Sequence, residues 1–144
     1  MDISNYDKIE DLNINPDEWF GFIYLIQDTV SGKQYLGKKN FKTNKKVKLG
    51  KKELAALPIK RGRTPSKKQV IAESDWKDYY SSCDEIKNDP DKSKYERYLI
   101  KLCKSSKELS YWETKYLFLY EVLEHPEQWY NKNILGKFFI KDLL

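Results

Sequence analysis

Gly21-Phe22-Ile23-Tyr24-Leu25-Ile26, followed closely by Gln34-Tyr35-Leu36-Gly37-Lys38-Lys39, is the stretch around which this chain is organised. Its first part is a nearly unbroken apolar run, which is typical of a strand covered on both faces. Residues 28–32 (DTVSG) supply turn chemistry, including a glycine that can adopt a positive φ. The sequence therefore predicts a β-hairpin with one tyrosine near the centre of each arm.

This hairpin can hold its two tyrosines side by side. Side chains alternate between the two faces of a strand, so Phe22, Tyr24 and Ile26 share one face of the first arm. Tyr35 and Gly37 share a face of the second arm. The pattern alone favours a core hairpin whose tyrosines only pack, and it also fits a pair of tyrosines that serves chemistry.

Basic charge is concentrated in one segment of the chain. The 144 residues carry a formal net charge of +5. Residues 38–68 contain thirteen Lys or Arg and one acidic residue, Glu53, so they carry +12 and leave −7 for the remainder. Such a localised excess is expected of a nucleic-acid footprint, although a solvated lysine-rich loop has the same composition. The candidate DNA-binding residues are Lys38, Lys39, Lys45, Lys46, Lys60, Arg61, Arg63, Lys67 and Lys68.

Most of this charge falls in residues 40–72, which show no long hydrophobic periodicity. Glycines and prolines interrupt the segment, which predicts a loop or insertion with a short helix near residues 51–57. Arg61 and Arg63 are suited to clamping phosphates or entering a groove, because a guanidinium group binds phosphate oxygens in pairs.

The segments on either side have simpler patterns. Residues 1–18 are acidic and predict a loosely ordered lead-in. Apolar residues recur at helical spacing in residues 74–88, which predicts a helix. Residues 95–104 alternate and predict a third strand. Its shared apolar face is expected to hold Tyr98, Ile100 and Leu102.

The main helix is predicted to start at Ser105, because Glu108 completes a capping-box pattern. An apolar stripe runs on to Leu123, and His125-Pro126 is expected to end the helix. Residues 134–144 form an apolar tail that packs on the sheet or covers a partner.

The paired motifs resemble the signature of the GIY-YIG nucleases. Phe22 lies inside the first motif and Leu36 replaces the isoleucine of the second, but both tyrosines and Gly37 are in place. The lysine pair after the second motif is similar to versions in phage-encoded stand-alone endonucleases. The resemblance spans residues 19–133. It implies an α+β fold with a small three-stranded antiparallel sheet flanked by helices. The basic segment then forms an insertion after strand 2, and the length of 144 residues predicts one domain over residues 1–144.

The resemblance also implies site residues. Glu113, on the helix after the third strand, would hold one divalent cation, Mg²⁺ or Mn²⁺, although Ser110-x-x-Glu113 is also a capping-box spacing. Tyr24 would be the general base and Tyr35 would position the water or phosphate. Asn131 matches a late asparagine of the family, but an asparagine in a turn is common. The predicted helix after strand 2 lacks the family's arginine, and Lys77 is the closest match to it. The alternatives are Lys38 and Lys39 nearer the hairpin, and Arg61 and Arg63 in the insertion.

The expected function is a metal-dependent DNA endonuclease that acts as a monomer or a homodimer. The alternatives are a non-catalytic nucleic-acid-binding module and a protein-interaction or inhibitor domain that uses the apolar tail. Cys83 and Cys103 lack metal spacing, which argues against a zinc site or a disulfide scaffold. No stretch reads as a signal peptide or membrane span, so we expect no membrane partner and a cytoplasmic setting, that of the bacterial host for a phage-encoded chain.

Overall fold

A computed structural model describes residues 1–57, 62 and 67–143. In these ranges the strands are β1 (Gly21–Asp28), β2 (Gln34–Asn40), β3 (Lys42–Lys48), β4 (Lys67–Glu73), β5 (Tyr95–Cys103), β6 (Asn133–Ile134) and β7 (Phe138–Phe139). The helices are α1 (Lys51–Ala56), α2 (Asp84–Lys87) and α3 (Ser106–Leu119), with 3₁₀ turns at Ile9–Asp11 and Ile140–Leu143. The predicted α+β class with an antiparallel sheet is confirmed.

The central sheet has the strand order β2-β1-β5, and both pairings are antiparallel. Strands β1 and β2 form the predicted hairpin, in which Tyr24 lies opposite Gly37. Gly32 has a φ of +79° in the turn, as the sequence required. Asp28 accepts hydrogen bonds from the backbone N–H groups of Val30 and Ser31, which fixes the turn.

Strand β1 separates two apolar clusters because its side chains are buried on both faces. On one face, Ile23 and Leu25 pack beneath α3, which contributes Leu109 and Leu117. The other face of the strand is covered by a second cluster, which is rich in aromatic side chains and which we call the aromatic cluster. Its buried members include Phe22, Tyr24, Ile26, Phe41, Trp76 and Ile86. The central strand is therefore the frame on which both layers are assembled.

The prediction that Tyr98, Ile100 and Leu102 share one face of the third strand is wrong at Leu102. The β1–β5 register shifts beside Ile23 and Tyr24, so Ile100 becomes an extra residue in β5. A bulge of this kind reverses the direction of later side chains relative to strict alternation. Tyr98 and Ile100 therefore face the α3 cluster, whereas Leu102 packs on the aromatic cluster.

The predicted helix over residues 74–88 is wrong except for its last turn, α2. Trp76 is 5% exposed and meets the Phe41 ring edge-on, with the ring centroids 5.0 Å apart. Ser81 has a φ of +90°, which a right-handed helix does not accept. Tertiary packing of Trp76 therefore overrides the helical spacing.

The basic segment contains more regular structure than a loop. Strands β3 and β4 pair along their whole length, and α1 lies at the predicted position. No described residue of β3 or β4 belongs to either apolar cluster, so the two strands form a polar arm. Lys60, Arg61 and Arg63 lie outside the described residues.

Helix α3 begins as predicted but ends earlier. Ser105 Oγ accepts a hydrogen bond from Glu108 N at 3.1 Å. The helix ends at Leu119, where Glu121 adopts a φ of +51° and Val122 N donates to Leu117 O. The left-handed residue turns the chain, so Val122 and Leu123 are buried outside the helix.

The two ends of the chain pack against the sheet and against α3. Residues 1–18 are not loosely ordered as predicted, because Ile9 is 5% exposed and Leu99 N donates to Asp7 O. At the other end, the Phe138 ring packs on Phe118 of α3, with centroids 5.9 Å apart. Within the described ranges, no helix has the length and hydrophobicity that crossing a membrane requires.

Candidate active site

The two motif tyrosines meet at Gly37. Their ring centroids lie 6.2 Å apart, and Tyr24 is 3% exposed. A Cβ at Gly37 would lie 2.5 Å from Tyr24 Oη and 3.0 Å from Tyr35 Cε1. Only glycine leaves room for the Tyr24 hydroxyl at this point of the sheet. Tyr79 completes the enclosure by meeting the Tyr24 ring edge-on at 5.9 Å.

A cleft of about 600 Å³ opens beside this tyrosine pair. Strand β2 contributes Tyr35 and Lys38 to its wall, and α3 contributes Glu113. Glu85 and Lys132 close another side and form an ion pair at 2.5 Å. Tyr35 Oη shares a hydrogen bond with Ser82 Oγ at 3.3 Å, which fixes its ring at the cleft. Residues that are distant in sequence therefore converge on one concave surface.

Glu113 lies in the middle of α3 and not at its start. The alternative that Ser110 and Glu113 form a capping box is wrong, because Ser105 caps the helix. Ser110 instead accepts a hydrogen bond from Lys38 Nζ at 2.9 Å. Burial raises the pKa of Glu113, and the nearby Lys38 charge opposes that rise. The site thus holds a carboxylate whose negative charge is only partly compensated.

Both phenols are held in their neutral form. Burial raises the pKa of Tyr24 well above its ordinary value, and the neighbouring Tyr35, Tyr79 and Glu113 raise it further. Burial also raises the pKa of Tyr35, although the Ser82 hydrogen bond acts in the opposite direction. A phenolate at either position therefore needs an added positive charge.

The donor set of the cleft fits a hard divalent cation that keeps most of its water. In the part of the chain that the structure describes, no three His, Cys, Asp or Glu side chains group as a candidate metal site. Mg²⁺ is commonly bound through one or two carboxylates, with waters and substrate phosphate as the other ligands. Glu113 supplies one such carboxylate beside the hydroxyl group of Tyr35.

Asn131 and Lys77 do not line the cleft. The buried Asn131 side chain accepts from Leu36 N and donates to Leu36 O, at 3.1 and 2.9 Å. It therefore fixes the strand between Tyr35 and Gly37. Lys77 lines a separate cavity of about 350 Å³, and its carbonyl accepts from Arg97 Nη1 at 2.6 Å.

Arg97 was missed by the sequence analysis. It is buried on β5, and its Nη1 also donates to Tyr79 O at 3.3 Å. Its guanidinium carbon lies 4.8 Å from the Tyr80 ring centroid. Arg97 therefore holds the loop that presses Tyr79 against Tyr24. The sequence around Arg97 alternates like any half-exposed strand, so it did not indicate that the guanidinium group binds a loop 18 to 20 residues earlier in the chain.

The described basic candidates divide into two groups. Lys38 and Lys39 lie on β2, where Lys39 forms an ion pair with Asp75 at 2.7 Å. The others belong to the exposed polar arm. They are Lys45 and Lys46 on β3, and Lys67 and Lys68 on β4. Lys68 pairs with Glu53 at 2.5 Å, which leaves the first three as the more available charges of the arm.

Comparison with known proteins identifies the family. The family model described as "Putative endonuclease segE, GIY-YIG domain" matches residues 5–134. No curated protein and no solved structure matches the chain. The matched range contains the hairpin, Glu113 and most of the cleft lining, together with the polar arm. By this match, which covers most of its length, the chain belongs to the SegE family of GIY-YIG endonuclease domains.

Proposed function

We propose that this chain is a divalent-metal-dependent DNA endonuclease that hydrolyses phosphodiester bonds in the cleft beside Tyr35. The observation that supports the proposal is the convergence of Glu113, Lys38 and Tyr35 on one cleft, with the buried Tyr24 ring packed next to Tyr35. These groups come from β1, β2 and α3, which are elements of the rigid core. A site built on such elements holds its side chains more precisely than a loop does.

Each side chain has a role that its surroundings support. Glu113 is the ligand that holds one cation, Mg²⁺ or Mn²⁺. Lys38, oriented by Ser110, contacts the phosphate and balances the charge that develops there. Tyr35 donates a hydrogen bond to the phosphate or the attacking water. Lys38 thereby takes the part that the sequence analysis gave to Lys77.

We assign to Tyr24 the role of general base, which accepts the proton of the attacking water. The water oxygen bonds to phosphorus while Tyr24, as phenolate, takes the water proton. The bond from phosphorus to the leaving sugar oxygen breaks, and that oxygen takes a proton from solvent water to leave as a hydroxyl group. A cation held by Glu113 would supply positive charge that stabilises the phosphate and lowers the pKa of neighbouring hydroxyl groups. Asn131 keeps β2 in place, so it is a positioning residue for this reaction.

The polar arm is the proposed DNA-contacting extension. Lys45, Lys46 and Lys67 lie on its exposed surface. Lysine ammonium groups bind the DNA backbone by displacing counterions, without regard to sequence. Lys60, Arg61, Arg63 and Lys68 are proposed to add to this footprint.

Incubation with supercoiled plasmid tests the proposed activity. We expect conversion to nicked or linear DNA in Mg²⁺ or Mn²⁺, and none when a chelator is in excess. The same reactions with structured RNA of equal phosphate concentration report the choice of nucleic acid. Equal conversion in chelator, or none in either metal, would refute a metal-dependent DNA endonuclease.

A further inference from the structure

A second groove runs along the outer face of α3. Its volume is about 610 Å³, and its lining combines two lysines, three hydroxyl side chains and two aromatic rings, with no acidic side chain among the described residues. Tyr111 is 59% exposed and Phe118 is 51% exposed. We call this surface the α3 groove, and it is defined by Ser106, Lys107, Ser110, Tyr111, Thr114, Lys115 and Phe118. Its composition suits an anion that also carries flat apolar faces.

The α3 groove begins where the catalytic cleft ends. Ser110 lines the groove, and it accepts the hydrogen bond from Lys38, which lines the cleft. The two surfaces differ in charge, since the cleft contains the carboxylates of Asp84, Glu85 and Glu113. A polyanion that leaves the cleft past Lys38 therefore reaches Lys107 and Lys115, on a surface whose described lining has no acidic side chain.

The spacing of the groove residues follows from the helix. Tyr111 and Phe118 are seven residues apart, which places them on one face about 10 Å apart along the axis. Lys107 and Lys115 lie one turn before and after Tyr111, and Lys115 Nζ is 6.0 Å from the Tyr111 ring centroid. Phe118 is supported from behind by Phe138. Rings and ammonium groups thus alternate along the groove.

We propose that the α3 groove binds an unpaired DNA strand that continues from the cleft. Bases stack on Tyr111 and Phe118, while Lys107 and Lys115 contact the phosphates between them. Proteins that bind single strands combine a basic groove with exposed aromatic rings in this way. A continuous duplex hides the faces of its bases, so it has no use for the two rings. A role of the α3 groove in cleavage rests on the proposed function, but its binding of single-stranded DNA does not.

Binding is measured in excess chelator, where no cleavage interferes. The probe is a short fluorescent oligothymidylate, and a duplex of the same length is the comparison. Tyr111→Ala is expected to weaken single-strand binding roughly 5- to 100-fold, whereas Tyr111→Phe keeps the ring and retains most of it. Phe139→Ala, which removes a ring 37% exposed outside the groove, serves as the matched control. Thermal melting of each variant checks the fold.

A base analogue gives an independent readout of stacking. An oligonucleotide with one 2-aminopurine loses fluorescence when that base stacks on a ring, so Tyr111→Ala should restore emission at saturating protein. Unchanged single-strand affinity in Tyr111→Ala would overturn the proposal. An equal loss for duplex and single strand would do so too, because it would indicate a charge effect only. If the wild type binds the single strand through Tyr111 but cleaves nothing, the groove stands and the proposed activity fails.

Discussion

Replacing Gly37 with alanine tests whether the tyrosine pair is placed for chemistry. The added Cβ would lie 2.5 Å from Tyr24 Oη and 2.7 Å from Tyr24 Cζ, whereas ordinary contact begins at 3.4 Å. The Tyr24 ring must therefore move by about 1 Å, by the difference between these distances. Tyr24 is enclosed by Tyr35 and Tyr79, so the displacement passes to the rest of the site.

Two magnitudes follow from this displacement. Overpacking of a well-filled core costs about 1–3 kcal/mol of stability. A misplacement of about 1 Å at a reacting group can reduce the rate by about 10²-fold. We therefore expect Gly37→Ala to remain folded in mild conditions, with cleavage reduced by about two orders of magnitude.

The matched control is Gly21→Ala at the end of the same strand pair, opposite Asn40. Its Cβ would lie 2.5 Å from Lys39 O and 2.8 Å from Leu109 Cδ2, so it overpacks the sheet without touching either tyrosine. Urea unfolding and single-turnover plasmid cleavage are measured for both variants. The reasoning is refuted if the two variants lose equal activity at equal stability, or if Gly37→Ala cleaves as the wild type does.

Other perturbations separate the roles of the remaining groups. Tyr24→Phe and Tyr35→Phe keep the rings but remove the hydroxyls, so each should slow single-turnover cleavage by more than ~10-fold; a smaller loss at Tyr24 would leave it a packing residue. Burial raises the pKa of Tyr24 and the phenolate is the reacting form, so log rate should rise with pH up to the pKa that Tyr24 has beside the bound cation, and Tyr24→Phe should lack this rise. Identical pH profiles of the two proteins would contradict the base assignment. Asn131→Ala should lower the free energy of unfolding, measured in urea, by ~1–3 kcal/mol, because it leaves the buried backbone N–H and C=O of Leu36 unpaired. An unchanged urea midpoint would contradict this. Log affinity for DNA should fall linearly with log salt, with a slope of about −0.9 per phosphate contacted, and neutralising five residues of the basic segment 38–68 should flatten this slope. The five are Lys60, Arg61, Arg63, Lys67 and Lys68. Equal salt slopes in cleavage-deficient proteins with and without these five changes would indicate that the basic segment is solvated and does not contact DNA.

The hairpin and its tyrosines could be predicted because their signals are local. A buried apolar run, a turn glycine and strict alternation decide which side chains share a face over a few residues. The same logic failed at Leu102, since a bulge depends on how two strands pair and not on either sequence alone. It also failed near Trp76, whose contacts with Phe22 and Phe41 connect distant segments.

The site could be predicted in part for the same reason. Glu113 follows from its place on the main helix and from the resemblance. The Lys38–Ser110 hydrogen bond and the Glu85–Lys132 ion pair join residues 72 and 47 positions apart, so no local pattern contains them. The strands of the polar arm lack an apolar face, which is why their composition indicated a loop.

Glu113→Gln tests the central claim most directly, because it removes the carboxylate and keeps its shape. The pKa of Glu113 is raised in the fold, so its protonated form is favoured at low pH and that advantage is lost as pH rises through the raised pKa. Glutamine stays neutral throughout, and the variant should be at least as stable as wild type at pH 7.

The decisive measurement is the single-turnover cleavage rate of Glu113→Gln in Mg²⁺ at pH 7, beside wild type and Glu124→Gln. Glu124 is an exposed carboxylate outside the cleft, so its variant controls for the lost charge. The account predicts wild-type rates for Glu124→Gln and no detectable cleavage by folded, DNA-binding Glu113→Gln. Cleavage by Glu113→Gln at the wild-type rate would contradict the assignment of the cation and of the active site.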